Sequence, residues 1–500
     1  MRYSVYKHLR GVSESLIEAT TYLLEHKELT SMIVESGNAV LAIKTTLEAN
    51  KEKVIDEVDT FMEVITKIAD SLECGQDYSG ELKKLNDLAL IINKYCKDEI
   101  KYKFKIVFFA ELGSKWDSVD SVYRAYKNRE DCDVAVVLQP IYRAIRFPNG
   151  EVKSDVIYRD YLTEMGIEHI LFKDYDIKKD MPDMVLTSQP YESVTSEQFW
   201  SENIVPYTRL VYLPYYTAEA IESNEQKAVQ CQMPIHQLAW KIVCQSEKQK
   251  EQYSKYSPVK GSNLVAFGLP KWDWVTNMEE RKIELPKEWS KLKDKKIVLR
   301  NLHYSAAGAV FNDERKNNKV INELRIISER YEGSNIGYIY RMHPMTETMF
   351  KVYCPQYLEE WEKTKKDIEK SGNVVIDYNE TYDCAFKFSD ILFSEKSSLV
   401  TQYLLTKKPV VMLYWGEENF EKIEEQESAE EYFLKYSDLC HAKSSEEADS
   451  IRDNIFENGD YEHEKSIEFI KNYMSSADGH IGERIAEYCI KEMLKEDNIL

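Results

Sequence analysis

The sequence predicts an α/β protein: two Rossmann-like domains facing a cleft, preceded by a helical N-terminal region. Three observations predict this. Residues 1 to about 100 carry helical apolar spacing and no strand signal. From Lys105 onward, short apolar runs alternate with amphipathic or loop sequence, the alternation of a doubly wound parallel sheet. After a charged linker the alternation starts again. The expected divisions are residues 1–102 (helical), 103–285 (first Rossmann-like domain) and 286–500 (second domain with closing helices).

In the helical region Leu16, Thr20, Leu23 and Leu24 make one stripe, and Val54, Val58, Met62 and Ile65 another. The break is Gly75–Gly80, before a further helix at Leu82–Tyr95. A bundle or an oligomer-forming extension is expected, with membrane or partner contact as the lesser alternative. The first domain opens with KIVFFAEL as a strand, SVDSVYRAYKN as a helix and DVAVVLQP as a second strand. Further strands are expected at His169–Phe172, Met184–Thr187, Arg209–Leu213, Lys241–Cys244 and Leu264–Phe267. MEERKIELPKEWSKLKDKK reads as a helical linker. Strands then return at Ile297–Leu299, Tyr338–Tyr340, Val374–Ile376, Ile391–Phe393 and Val410–Leu413, and two helices close the chain from about residue 462.

Composition excludes several classes. A formal charge of −21 over 500 residues disfavours nucleic acid, which needs a basic footprint. It also disfavours broad adhesion to an anionic membrane, although the clusters at Lys101–Lys105 and Lys291–Lys296 leave peripheral contact open. Nine scattered cysteines without CxxC spacing read as intracellular thiols. No apolar run approaches the roughly 20 residues that span a bilayer, and no signal-peptide core follows Met1. A cytoplasmic protein is expected, working at the inner face of the membrane if it meets one. The turn after the first strand lacks GxGxxG, and no GxxxxGK[ST], HExxH or GxSxG occurs, so dinucleotide oxidoreductase and P-loop readings fall away.

Candidate chemistry concentrates between Gly337 and Leu413. Gly337–Tyr340 ends in Arg341-Met-His343-Pro344, and Asp390–Phe393 ends in Ser394-Glu395-Lys396-Ser397-Ser398. Polar residues at carboxyl ends of parallel strands stand where such sheets bind ligands. His343 could accept a proton from an attacking hydroxyl or, as a cation, neutralise a leaving phosphate. Arg341 could pair with phosphate oxygens. A helix starting after the serines would offer free N–H groups to a phosphate. Each has a plain structural alternative: a strand-end histidine bonded to a carbonyl, and serines that simply cap a helix. Lys396 could meet a diphosphate or be solvated, and Asp390 reads as structural. In the first domain Tyr212–Thr217 and Trp116-Asp117-Ser118 lie at a sheet edge, where aromatic clusters are usually core.

The ordered series KWDSVDSVYRAYKNREDCDVAVVLQPIYR, PDMVLTSQPYESVTS, YTRLVYLPYY, FGLPKWD, YIYRMHP and FSDILFSEKSSLVTQYLLTKKPVVM resembles the CDP-glycerol:poly(glycerophosphate) glycerophosphotransferase family, in its divergent clostridial-type members. The resemblance runs from about Lys105 to about Tyr414. It implies a GT-B architecture with an acceptor-side first domain and a nucleotide-binding second domain. It also implies that His343 matches the catalytic or phosphate-contacting histidine, and that Ser397 and Ser398 match paired serines holding donor phosphates, with Arg341, Glu395 and Lys396 beside them. Two departures stand out. The family's Trp-His-Gly is replaced by a strand end reading PYYT at Pro214–Thr217, and Thr-Asp-Tyr by Ser394-Glu395-Lys396. Tyr215, Tyr216, Glu219 and Asp117 are the acceptor-side candidates.

The resemblance implies a transferase moving glycerol phosphate, or a related polyol phosphate, from CDP-glycerol to a hydroxyl of a polymer or lipid-linked precursor of a teichoic-acid-like or capsular polymer. The alternatives are a glycosyltransferase using a nucleotide sugar, and a non-catalytic member of the family. No cofactor and no protein-bound metal are expected, although magnesium could accompany the nucleotide. Homo-oligomerisation through the helical region is open.

Overall fold

The computed structural model describes residues 1–146, 152–217, 223–302, 318–343, 345–395, 397–413, 440–442, 444–459, 474 and 476–499. They form two compact units. One comprises Met1–Ile106, Tyr126–Val134 and Glu487–Leu500, and the other Val107–Ala125 and Ala135–Ala486.

The first unit is built on four helices, α1 (Tyr3–Glu25), α2 (Thr30–Ala49), α3 (Asp56–Glu73) and α4 (Ser79–Asp98). Its core takes Leu16 and Leu23 from α1, as the apolar stripe requires, with Leu85 and Ile92 from α4. Polar pairs fix the register: Ser13 Oγ donates to Asn93 Oδ1 (3.0 Å), and Thr20 Oγ1 to Asn86 Oδ1 (3.0 Å). On α3 the buried face is Val58, Phe61, Val64 and Ile68, not the expected stripe through Val54, Met62 and Ile65. Helix α3 starts only at Asp56, where Asp56, Glu57 and Asp59 in its first turn complement the helix dipole. The α3–α4 turn uses Gly75 at φ +65°, a left-handed position that costs other residues.

The second unit carries two Rossmann-like sheets. In chain order the first contains β1 (Phe104–Ala110), β2 (Cys132–Leu138), β5 (Ile170–Leu171), β6 (Met184–Thr187), β7 (Arg209–Tyr212), β8 (Lys241–Cys244) and β9 (Leu264–Ala266). Their spatial order is β5-β2-β1-β6-β7-β8-β9. The second contains β10 (Lys296–Asn301), β11 (Ile336–Arg341), β12 (Val374–Asp377), β13 (Ile391–Ser394), β14 (Val410–Leu413) and β15 (Cys440–Ala442), ordered β12-β11-β10-β13-β14-β15 and parallel throughout. Central strands such as Val107–Phe109 and Val298–Leu299 are buried on both faces, which explains their unbroken apolar sequence. In each sheet the strand order reverses once, between β1 and β6 and between β10 and β13. Such reversals open a crevice at the carboxyl edge.

Three strands escaped the sequence reading. β3 (Ile141–Arg146) and β4 (Val152–Ile157) form an antiparallel ribbon, and β15 closes the edge of the second sheet. The linker is not a helix. It has only short 3-10 turns at Met278–Glu280 and Lys287–Leu292, with Pro286 unable to donate between them. The last helix, Ile481–Glu496, begins where Asp273 accepts from the N–H groups of Ile481 (3.1 Å) and Gly482 (2.7 Å). The other expected closing helix lies outside the described residues.

Candidate active site

Parallel register aligns the strand ends of the second sheet into one polar row: Asp377, Arg341, Asn301 and Ser394 are consecutive cross-strand partners. Asp377, Arg341 and Ser394 each end an apolar run, and Asn301 follows Arg300 at the end of β10. Asn301 Nδ2 donates to Ser394 Oγ at 3.0 Å, across the β10/β13 reversal. The Arg341 guanidinium pairs with the buried Asp377 carboxylate and donates to the carbonyls of Asn379 (3.3 Å), Glu380 (3.3 Å) and Thr381 (3.2 Å). Arg341 thereby shapes the loop after β12, using most of its donors on protein.

His343 lies two residues beyond Arg341. Its Nδ1 accepts from the Met345 N–H at 3.0 Å. An accepting Nδ1 puts the proton of the neutral ring on Nε2, so the imidazole is oriented as an Nε2–H donor. The Ser397 side chain caps the helix Ser398–Leu404 by accepting from the Leu399 N–H (3.2 Å). That helix has seven residues. Glu395 is held by Lys319 (2.6 Å) and by the fully buried Arg300 (3.5 Å), which also pairs with Glu323. These pairs tie the residue that follows β13 to Lys319 and to Arg300 of β10. Asp390 is structural, accepting from the Ile297 N–H (2.7 Å). Lys396 lies outside the described residues.

The loop after β12 is also where the second Rossmann-like half meets the first. Tyr382 Oη donates to Asp117 Oδ2 (2.8 Å), Arg159 pairs with Glu380 (2.9 Å), and Asp383 takes the Trp274 indole N–H and Arg281 (3.2 Å). Gly113 packs so closely under Glu380 that a Cβ there would overlap the carboxylate. Of the acceptor-side candidates, Asp117 is thus committed to a bond across the cleft. Tyr216 packs against the first domain's core. Tyr215 stays at the edge, its ring 4.2 Å from the Lys115 ammonium and its carbonyl accepting from Lys271 (2.7 Å). Glu219 lies outside the described residues.

Sequence reasoning passed over Asn301, Asp377 and Glu111. Asp377 and Glu111 are the first polar residue after an apolar strand, the signal that singled out Arg341 and Ser394, whereas Asn301 stands behind Arg300. Glu111 follows β1, is 2% exposed, and accepts from Gln139 Nε2 at 2.9 Å. Burial raises its carboxyl above the usual range, against the opposing pulls of Lys115 and Gln139. Among the described residues no group of three or more His, Cys, Asp or Glu is placed to hold a metal. Nor is any described helix long and apolar enough to cross a membrane.

Comparison with known proteins extends this geometry. The teichoic acid ribitol-phosphate polymerase TarL of Staphylococcus aureus is 24% identical over 258 residues, 50% of this chain and 41% of that protein. TarK of the same organism is 22% identical over 261 residues, 50% and 45%. The match thus takes in less than half the length of either relative. A structure of the wall teichoic acid polymerase TagF superposes with a TM-score of 0.51 at 12% identity, over 87% of this chain and 98% of that one. A second TagF structure, soaked with CDPG, gives 0.50 at 11%. At such identity the likeness speaks for the fold, the GT-B-like pairing of two Rossmann-like domains. The model of the CDP-glycerol:poly(glycerophosphate) glycerophosphotransferase family matches residues 218–491, more than half the chain, and the protein belongs to that family.

Proposed function

We propose that the protein transfers a polyol phosphate, glycerol phosphate first among the candidates, from a CDP-activated donor to a hydroxyl of a surface-polymer precursor. The observation that carries the reading is His343, set as an Nε2–H donor just beyond the polar carboxyl edge of the second sheet, in a chain of this family. The acceptor hydroxyl attacks the donor's β-phosphorus, a bond forms to the acceptor oxygen, and the bond to the bridging oxygen breaks to release CMP. Charge moves onto the phosphoryl oxygens and the departing CMP. A fixed, pre-oriented donor such as His343 stabilises that charge without reorganising during the reaction.

In this reading the other candidates take supporting parts. Arg341 and Glu395 hold the loops on either side of the β10/β13 crevice, and Ser397 fixes the start of the helix behind it. The proposal includes no protein-bound metal, and magnesium could accompany the nucleotide. The curated relatives are named for ribitol phosphate and the family for glycerol phosphate, so the donor's polyol is the open variable.

The test is a thermal-shift panel with CDP-glycerol, CDP-ribitol, CMP, UDP-sugars and GDP-sugars, since a ligand that binds only the native state raises its melting temperature. Stabilisation by cytidine ligands alone, weakened in His343→Ala, is expected. Stabilisation by a uridine or guanosine sugar instead would point to glycosyl transfer.

A further inference from the structure

The proposed reaction needs a group to take the acceptor's proton. The first sheet has its own strand-order reversal, between β1 and β6, and the residue at the mouth of that crevice is Glu111. Its surroundings are unusual for a structural carboxylate. One oxygen, Oε1, accepts from Gln139 at 2.9 Å. The other, Oε2, is buried and has no hydrogen-bond partner among the described residues. The Tyr161 hydroxyl, whose ionisation Glu111 opposes, is likewise buried and unpartnered. Buried polar atoms usually find a hydrogen-bond partner, so two unpaired oxygens in one place call for an explanation.

Position adds to chemistry. Two residues on, Gly113 is covered by Glu380, and the Glu380 carbonyl accepts from Arg341, two residues before His343. The cover over the Glu111 loop therefore comes from the opposite Rossmann-like half. The charged and titratable groups facing Glu111 are Lys115, Tyr161 and Tyr215. Lys115, on the helix Gly113–Lys127, has its own ammonium disfavoured by burial and supported by Glu111.

We infer that Glu111 is the acceptor-side general base: its unpartnered Oε2 receives the proton of the acceptor hydroxyl as that oxygen bonds to the donor's β-phosphorus. Gln139 holds the carboxylate by its other oxygen, and Lys115 supports the charged form. The proton ends on Glu111, the electron pair of the broken P–O bond leaves on CMP, and the carboxyl then returns its proton to solvent. A carboxylate made more basic by burial suits this task, because general bases work best with a pKa near the working pH.

The inference rests on the transfer reading, and one experiment separates the two. CMP release from CDP-glycerol and CDP-ribitol is followed with a synthetic glycerol phosphate trimer as acceptor, across pH 5–9, for wild type, Glu111→Gln and Glu111→Asp. CDP-glycerol affinity is measured on each protein by calorimetry. Expected for Glu111→Gln is a loss of about 100-fold or more in kcat, donor affinity within twofold, and disappearance of the acidic limb of the pH–kcat profile, with Glu111→Asp restoring part of the rate and a shifted limb. An active wild type matched by Glu111→Gln overturns the role of Glu111 alone. So does a Glu111→Gln that loses rate and donor affinity together while keeping the wild-type profile, the mark of a structural defect. A wild type that turns over neither donor removes the transfer reading, and this inference with it.

Discussion

Tyr382 donates a 2.8 Å hydrogen bond to Asp117, joining two Rossmann-like halves through residues 265 apart in sequence. Both partners are buried, and Asp117 also accepts from Ser118 at 3.1 Å. The bond sits beside the Glu380–Arg159 pair and the Asp383 contacts, so one loop of the second half carries most of the polar contact described here.

Removing the donor should therefore leave a buried carboxylate oxygen unsatisfied. Tyr382→Phe is expected to destabilise the protein by about 1–3 kcal/mol, read as a lower denaturant midpoint. Asp117→Asn, which keeps an acceptor, should cost less. Equal stability of Tyr382→Phe and wild type would show that the contact is dispensable.

Gly113→Ala places a methyl group against the Glu380 carboxylate. The variant should melt only slightly below wild type, because the Glu380 carboxylate can swing aside at the cost of its pair with Arg159, and Glu380→Ala should recover much of that loss, because the two sites are in direct contact and their effects do not add. Additive losses in the double variant would refute the steric account.

Arg341→Ala breaks a guanidinium–carboxylate pair whose carboxylate, Asp377, is 1% exposed, and frees three loop carbonyls. Removing one partner of a buried pair costs about 3–5 kcal/mol. A large drop in stability is expected, with any loss of donor affinity following from the displaced loop. Full stability combined with lost donor affinity would instead make Arg341 a direct ligand for the donor.

His236 gives the protein a pH dependence. It lies in the first domain's core beside the Tyr212 ring (5.5 Å between centroids), and neither ring nitrogen has a hydrogen-bond partner among the described residues. Burial pushes its pKa down to about 4. The unfolded chain, with an ordinary histidine near 6.5, binds the extra proton first as pH falls. Stability from this group is thus fully present above about pH 6.5 and is lost as pH falls toward 4, by about 3 kcal/mol in all. His236→Phe should flatten that part of the stability–pH curve. An unchanged curve would mean that the imidazole is charged or solvated in the folded state.

Much of this fold could be read from the sequence because buried parallel strands leave unbroken apolar runs, as at Val107–Phe109 and Val298–Leu299. The ribbon β3–β4 was harder: exposed Val152 and Val156 give it no core-facing pattern. The α3 register went astray because side chains at Val54 and Met62 fit a heptad on paper, while the helix starts two residues after Val54. At the candidate site, strand-end polarity marked Arg341, His343 and Ser394. What no sequence pattern shows is how such side chains are occupied. Arg341 is turned onto Asp377 and three carbonyls, Glu395 is taken by Lys319 and Arg300, and Asp117 is bonded to a tyrosine from the other half. Those commitments depend on partners 36 to 265 residues away.

The most direct measurement is CMP release by the purified protein from CDP-glycerol and from CDP-ribitol, with and without a glycerol phosphate oligomer, in wild type and His343→Ala. Acceptor-dependent release from at least one of the two, reduced about 100-fold or more in His343→Ala while its melting temperature stays near that of wild type, is the expected result. No release from either donor, or release undiminished in His343→Ala, would contradict polyol-phosphate transfer at this site.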